Sequence, residues 1–173
     1  MLRLLAGAML ALTPFAAGAA MAIEARMIVP GGQLDPAFPD ADVYIGTPPD
    51  PMVPPGRACE VARKYVELVN AGKYAEVAAL YHDNATFLEP MRPNLQGRAE
   101  IDEFYIKRIG GMAPQIRAIA YFGNDSECMV ELALQTEMGG QPRWVLVSMD
   151  HFIVGADGKI VSMTAFARPQ RGG

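Results

Sequence analysis

The apolar positions of this chain change period once, and the change separates helices from strands. From Cys59 onward Val61, Tyr65, Leu68 and Val69 recur at the spacing of an amphipathic helix, which Gly72 suits as a C-terminal stop. Tyr74, Val77, Leu80 and Tyr81 share one face of a second, shorter helix that should end near Asp83 and Asn84. A strand over 85–89 follows, halted by Pro90, and after a Pro/Asn/Gly loop over 93–97 a third helix covers 98–109. Its inward stripe is Ile101, Phe104 and Tyr105, and Gly110-Gly111 closes it.

Beyond that point β-rich segments replace the helical pattern. Strands are predicted over 115–122, 127–138, 143–154 and 160–168, with Gly139-Gly140 and Asp157-Gly158 as hairpin turns. Helices first and strands later imply an α+β fold. A cone-shaped, curved antiparallel sheet with the three helices on its concave side would enclose an interior.

Upstream the pattern is different. Residues 23–57 carry eight prolines, Pro30, Pro36, Pro39, Pro48, Pro49, Pro51, Pro54 and Pro55, so no long helix or central strand is expected there. The segment reads as an extended arm or linker, with one short strand over 42–45 able to dock on the domain that spans 58–170. Residues 1–22 have a basic start at Arg3, an apolar run over 4–17, and Ala20 and Ala22 fitting an A-x-A cleavage site, the form of a secretory signal peptide. Pro14 and Gly18 break that run, which is too short for a stable membrane anchor. The expectation is a periplasmic or secreted protein, or a cytoplasmic one if Met21 is the true start.

A net charge of −4 with no Lys/Arg cluster argues against nucleic acid as a partner. Cys59 and Cys128 show no zinc or redox spacing and are expected as two separate, half-buried thiols; an oxidising compartment would permit a bridge, which geometry decides. No metal-ligand set, Walker loop, dinucleotide fingerprint or serine elbow is present.

Three tyrosines, Tyr65, Tyr81 and Tyr105, stand on the apolar stripes of the three predicted helices. Singly each reads as a core phenol bonded to a backbone carbonyl; together they point to a shared polar centre. Asp150 lies among Val145, Leu146, Val147, Met149, Phe152, Ile153 and Val154, where desolvation would favour a neutral acid able to donate a hydrogen bond. The other reading is an aspartate at a bulge or edge, solvated or paired with Arg117 or Arg143. Glu89 follows the alternation of Ala85 and Phe87 toward the core, at a pocket mouth, or points to water beside Pro90. His82 and His151 are assigned no role.

The stretches Lys64-Tyr65-Val66-Glu67-Leu68-Val69-Asn70-Ala71-Gly72 and Leu80-Tyr81-His82-Asp83-Asn84-Ala85-Thr86 resemble the opening of bacterial ketosteroid isomerases. The resemblance continues through Glu89-Pro90, Glu103-Phe104-Tyr105, Met149-Asp150-His151-Phe152 and Gly158-Lys159-Ile160-Val161-Ser162-Met163. That family belongs to the nuclear-transport-factor-2-like (cystatin-like), or SnoaL-like, superfamily. The resemblance implies that Tyr65 is the oxyanion tyrosine, Asp150 the protonated acid, and Tyr81 and Tyr105 the supporting phenols. Glu89 takes the place of the general base, where the family has aspartate. Ketosteroid isomerase is itself a standard illustration of this acid–base arrangement.

The implied chemistry is proton abstraction alpha to a ketone, with a dienolate held by Tyr65 and Asp150 and no cofactor. The implied partners are an apolar ketone such as a steroid and, as a homodimer, a second copy of the chain. Phe87, Phe104, Met112, Met163 and Phe166 are the expected pocket walls, and Arg92 beside the pocket could draw an anionic substrate. The alternatives on the same scaffold are a SnoaL-like cyclase or epoxide hydrolase, and a non-catalytic binding module.

Overall fold

Helix α1 (Arg57–Asn70) forms where the period predicts it, burying Ala58, Cys59, Ala62, Tyr65, Val66, Leu68 and Val69. Gly72 follows with a φ of 67°, a conformation glycine alone adopts without strain. The computed structural model describes residues 32–90 and 93–168. Residues 1–31, where the leader peptide and the start of the arm are expected, Met91 and Arg92, and the last five residues lie outside them.

Helix α2 (Tyr74–Ala78) is shorter than expected, and Tyr81 is not on it. Tyr81 instead opens strand β2 (Tyr81–Leu88), because the chain turns at Ala79 and the Leu80 carbonyl accepts from the Ile160 amide, starting a ladder that the helix would have had to break. Strand β3 (Leu95–Gln96) leads into a third helix made of three consecutive pieces. These are α3 (Gly97–Glu103), a π-helical stretch π1 (Phe104–Ile109) and α4 (Gly110–Met112). The predicted stop at Gly110-Gly111 falls short: the helix runs to Met112 and ends at Ala113, which has a φ of 44°. At Gly110 an added Cβ would lie 3.1 Å from the Tyr74 ring, so this glycine serves close packing and not termination.

The strands β4 (Ile116–Gly123), β5 (Glu127–Met138), β6 (Gln141–Val154) and β7 (Ile160–Ala167) form a meander within a residue or two of the expected bounds. The sheet is curved and unclosed, in the order β3-β2-β7-β6-β5-β4. Register shifts in β2–β7, β4–β5, β5–β6 and β6–β7 supply the bending. One pair departs from the expected antiparallel sheet: β2 and β7 run parallel. No hairpin joins those two strands, so turn signals carry no information about their sense.

Two apolar clusters lie on the sheet. The larger packs the helices against one face and includes Tyr65, Tyr81, Phe87, Ile101, Tyr105, Val130, Phe152 and Met163. The second, on Tyr44, Ile119, Ala133 and Leu146, is closed by the Pro-rich arm. The arm's strand β1 (Val43–Tyr44) pairs with Val145 and Trp144 of β6, upstream of the residues of β6 that pair with β7. Arg168 to Asp42 at 2.6 Å and Arg143 to Asp35 at 3.6 Å hold it there.

Cys59 and Cys128, expected as separate half-buried thiols, are instead joined in a disulfide and are fully buried. The first turn of α1 lies so close to the β4–β5 hairpin that a Cβ at Gly123 would stand 2.8 Å from the Cys59 sulfur, and one at Gly56 would meet the Asn124 carbonyl at 2.5 Å. The two glycines bring the Cys59 and Cys128 Cα atoms to 5.1 Å, inside the range a bridge requires. Among the described residues no helix is long and apolar enough to cross a membrane.

Candidate functional site

Three phenols from three elements meet inside the larger core. Tyr65 comes from α1, Tyr81 from the start of β2 and Tyr105 from π1, and they are 7%, 0% and 1% exposed. The Tyr81 and Tyr105 hydroxyls are 2.9 Å apart, and Tyr105 donates to the Tyr65 hydroxyl at 3.2 Å. Because Tyr105 gives its proton to Tyr65, the Tyr65 proton is left for a further acceptor, while the single Tyr81 proton goes to Tyr105 or to the thioether of Met163. The thioether of Met163 lies 3.1 Å from the Tyr81 hydroxyl.

The π-helical turn has a visible consequence here. Consecutive residues Phe104 and Tyr105 are both turned inward, and the Phe87 ring stacks on Tyr105 at 6.2 Å and meets Phe104 edge-on at 5.3 Å. Such turns are frequent at functional sites. Burial raises the pKa of all three tyrosines, and for Tyr65 the charge of Asp150 adds to the effect. The phenols therefore stay protonated and act as donors.

Asp150 is 4% exposed, on the same face of β6 as Phe152 and Val154. Desolvation pushes its pKa up from 3.8 to about 7, against a hydrogen bond from Ser148 that pulls it down. Its Oδ1 is buried with no hydrogen-bond partner among the described residues. The alternative pairings do not form: Arg117 binds Asp50 at 2.8 Å and Arg143 binds Asp35. Phe152, two residues along the strand from Asp150, packs its ring edge-on against Tyr65 at 5.1 Å, and the charge of Asp150 acts on Tyr65.

Glu89 sits one residue past β2, half-buried, with its Oε2 shielded from solvent. Phe87 pairs with Met163, which pairs with Phe152, so those three form one inward rung. The next inward position of β7 is Ala165, the partner of Asp150. The β2–β7 pairing ends at Leu88 and Thr164, so Glu89 lies just past it, with β7 between it and Asp150.

Of the expected walls, Phe87, Phe104 and Met163 belong to this core. Met112 and Phe166 do not: they are 59% and 52% exposed. Met112 lies at the exposed end of the third helix, and Phe166 pairs with Met149, so its side chain points to the face opposite Asp150 and Ala165. Arg92 lies outside the described residues. His82 accepts from the Asn84 amide, and His151 lies 3.2 Å from Glu127, both away from the phenols. Phe152, Ser148 and the sulfur of Met163 are contacts that sequence reasoning missed; the inward alternation of Ser148, Asp150 and Phe152 was the available signal.

A groove of about 490 Å³ lies elsewhere, between α2 and α3 along Ala78, Ala79, Arg98 and Asp102. None of the polar core residues lines it. Among the described residues no cluster of His, Cys, Asp or Glu could hold a metal.

A family model described as SnoaL-like domain matches residues 62–163, which span α1 through β7. The chain is 33% identical over 107 residues to the Steroid Delta-isomerase of Nocardioides simplex, covering 61% of this chain and 85% of that protein. Two solved structures share the fold. One is the epoxide hydrolase/cyclase-like enzyme SalBIII, tied to pyran ring formation in the polyether salinomycin (24% identity, TM-score 0.54, 63% of this chain and 88% of that one). The other is RV0760c of Mycobacterium tuberculosis in complex with estradiol-17beta-hemisuccinate (16% identity, TM-score 0.55, 64% and 93%). With the family model matching well over half its length and the helices, sheet and inward phenols in one frame, this chain belongs to the SnoaL-like domain family of nuclear-transport-factor-2-like proteins.

Proposed function

We propose that the chain is a ketosteroid-isomerase-like enzyme that moves a double bond into conjugation with a ketone. The observation that carries this is the row Tyr81–Tyr105–Tyr65, whose end residue Tyr65 feels the charge of a buried Asp150 with a pKa lifted to about 7. A neutral acid and a phenol can both donate to one oxygen, and donors fixed in a dry site stabilise a developing oxyanion without reorganising.

In the reaction the Glu89 carboxylate takes a proton from the carbon between ketone and alkene. The electron pair delocalises to the ketone oxygen, which Tyr65 and Asp150 hold as a dienolate. Protonated Glu89 then returns its proton to the far carbon of the dienolate, restoring the carboxylate and leaving the conjugated ketone. Atoms and charge balance without a co-reactant. Phe87, Phe104 and Met163 give the site the apolar surface that a steroid-like ketone needs.

The Cys59–Cys128 bridge, with the leader-like residues 1–22, favours an exported protein, since such bridges persist in oxidising compartments. Exposed Phe122 and Phe166, near the arm on the face away from the helices, favour a homodimer that covers them.

The test is to supply a β,γ-unsaturated ketosteroid and follow the ultraviolet absorbance of the conjugated product. A signal that Tyr65→Phe, Asp150→Leu and Glu89→Gln each reduce sharply is expected. No signal above buffer, with the steroid still bound, would leave a binding module on this fold.

A further inference from the structure

Helix α1 is tied to the sheet at both ends, with Tyr65 between the ties. At its C-terminal end the Asn70 amide donates to the Ile116 carbonyl and accepts from the Ile116 amide, each at 2.8 Å. At its first turn the Ala58 amide donates to the Asn124 carbonyl at 3.3 Å and Arg57 to Asp125 at 3.1 Å, and beside these lies the disulfide. The Arg57–Asp125 hydrogen bond is exposed and exchanges readily with water; the covalent bond does not.

Cys128 is the ladder partner of Phe152, the residue whose ring packs against Tyr65 at 5.1 Å. Two residues along the same strands Val130 is the partner of Asp150. On the helix side six residues separate Cys59 from Tyr65, about 9 Å of rise. One bond therefore joins the helix that carries the phenol to the ladder that carries the acid.

We propose that the Cys59–Cys128 disulfide is a positioning staple that fixes Tyr65 against Phe152 and Asp150, so that the site is complete only in the oxidised protein. Its formation removes two protons and two electrons from the thiols, taken up by a dithiol–disulfide exchange partner whose own disulfide becomes two thiols. The catalytic consequence rests on the isomerase reading; the geometric one does not. A bridge that only stabilises would lower the melting temperature and leave the folded protein's turnover unchanged. A positioning bridge changes kcat, because a shift of about 1 Å in a donor can cost on the order of 10²-fold.

The experiment compares wild type with Cys59→Ala/Cys128→Ala below both melting temperatures. Two readouts are taken: the ring-to-ring nuclear Overhauser effect between Tyr65 and Phe152 with the Tyr65 Cζ chemical shift, and kcat with KM on the ketosteroid. Expected are a weakened ring contact, a moved shift, and kcat lower by about 10- to 100-fold at little-changed KM. A folded double variant with the ring contact and shift of wild type overturns the proposal, whatever its activity. An inactive wild type defeats the isomerase reading alone, because the nuclear magnetic resonance arm still decides the staple. Where the double variant fails to fold, wild type reduced with dithiothreitol replaces it. Loss of the fold in both makes the bridge a folding element and overturns the positioning role.

Discussion

Tyr105 donates its phenolic proton to Tyr65 across 3.2 Å inside the buried core. The donation leaves Tyr65 with its own proton free and makes its hydroxyl a better donor, since charge that builds on a substrate oxygen is passed along the row. Replacing Tyr105 with Phe removes that donor while keeping the ring and its stacking on Phe87. Loss of one such bond corresponds to about 1 kcal/mol, so kcat should fall roughly fivefold with KM nearly unchanged. Tyr65→Phe removes the donor itself and should cost about 10²–10³ in kcat. Steady-state kinetics on both variants checks the order; equal losses would mean that Tyr105 acts on the substrate directly.

Asp150 makes the site sensitive to pH. Its pKa is about 7 in the fold and 3.8 as an ordinary carboxyl, so the native state holds the proton more tightly than the unfolded chain. Its contribution to stability is therefore complete below 3.8 and lost as the pH rises through about 7, on the order of 4 kcal/mol over that window. Denaturant titrations of wild type and Asp150→Asn, compared at each pH, should show wild type losing stability relative to the Asn variant by that amount as the pH rises from about 3.8 to about 7. Activity follows the same sign. Above about pH 7 the ionised Asp150 stops donating and repels the dienolate, so kcat should drop there, and the Asn variant should show a lower plateau without that alkaline limb.

Much of the site was legible because its residues interrupt apolar patterns. Asp150 stands out in a strand of Val, Leu, Met, Phe and Ile, and Tyr65 and Tyr105 break the stripes of helices whose other members are aliphatic or Phe. Tyr81 was placed on the wrong element because Tyr74, Val77 and Leu80 extend a helical period past the point where the Leu80 carbonyl is taken by Ile160. Phe166 was misassigned for a related reason: β7 alternates, but its register against β6, which sends Ala165 inward and Phe166 outward, is set by pairing. The parallel contact of β2 with β7 and the approach of Cys59 to Cys128 across 69 residues are equally non-local, so no window of sequence contains them.

Phe166 on the outer face offers a check that leaves the phenols untouched. It is 52% exposed, and Phe122, at 51%, is exposed on the same face. If this surface joins two copies, light scattering should give twice the chain mass, and Phe166→Glu should shift the protein to monomer with an unchanged circular dichroism spectrum, because burying a lone carboxylate in the interface is costly. A monomeric wild type would remove the homodimer.

Glu89 is one position at which the chain departs from the ketosteroid isomerases it resembles, and the departure sets a length problem. Glu89 follows directly on Leu88, the last paired residue of β2, with β7 between it and Asp150, and the length of its side chain sets how far the carboxylate reaches. Shortening it to Asp withdraws the oxygens by about 1.5 Å. If the rest of the site is built around the longer arm, Glu89→Asp should lower kcat by about 10²-fold, since a base misplaced on that scale loses its alignment with the proton. Glu89→Gln removes the base altogether and should cost about 10²–10⁴, with bound ketone still detectable. The pair of variants is more informative than either alone. A large loss for Gln with a small one for Asp would mean that the carboxylate is needed and the pocket adjusts to its reach. A gain on Asp would show that the glutamate serves a ketone whose acidic carbon lies farther from the strand than a steroid places it. Full activity in Gln would put the base elsewhere and remove Glu89 from the mechanism.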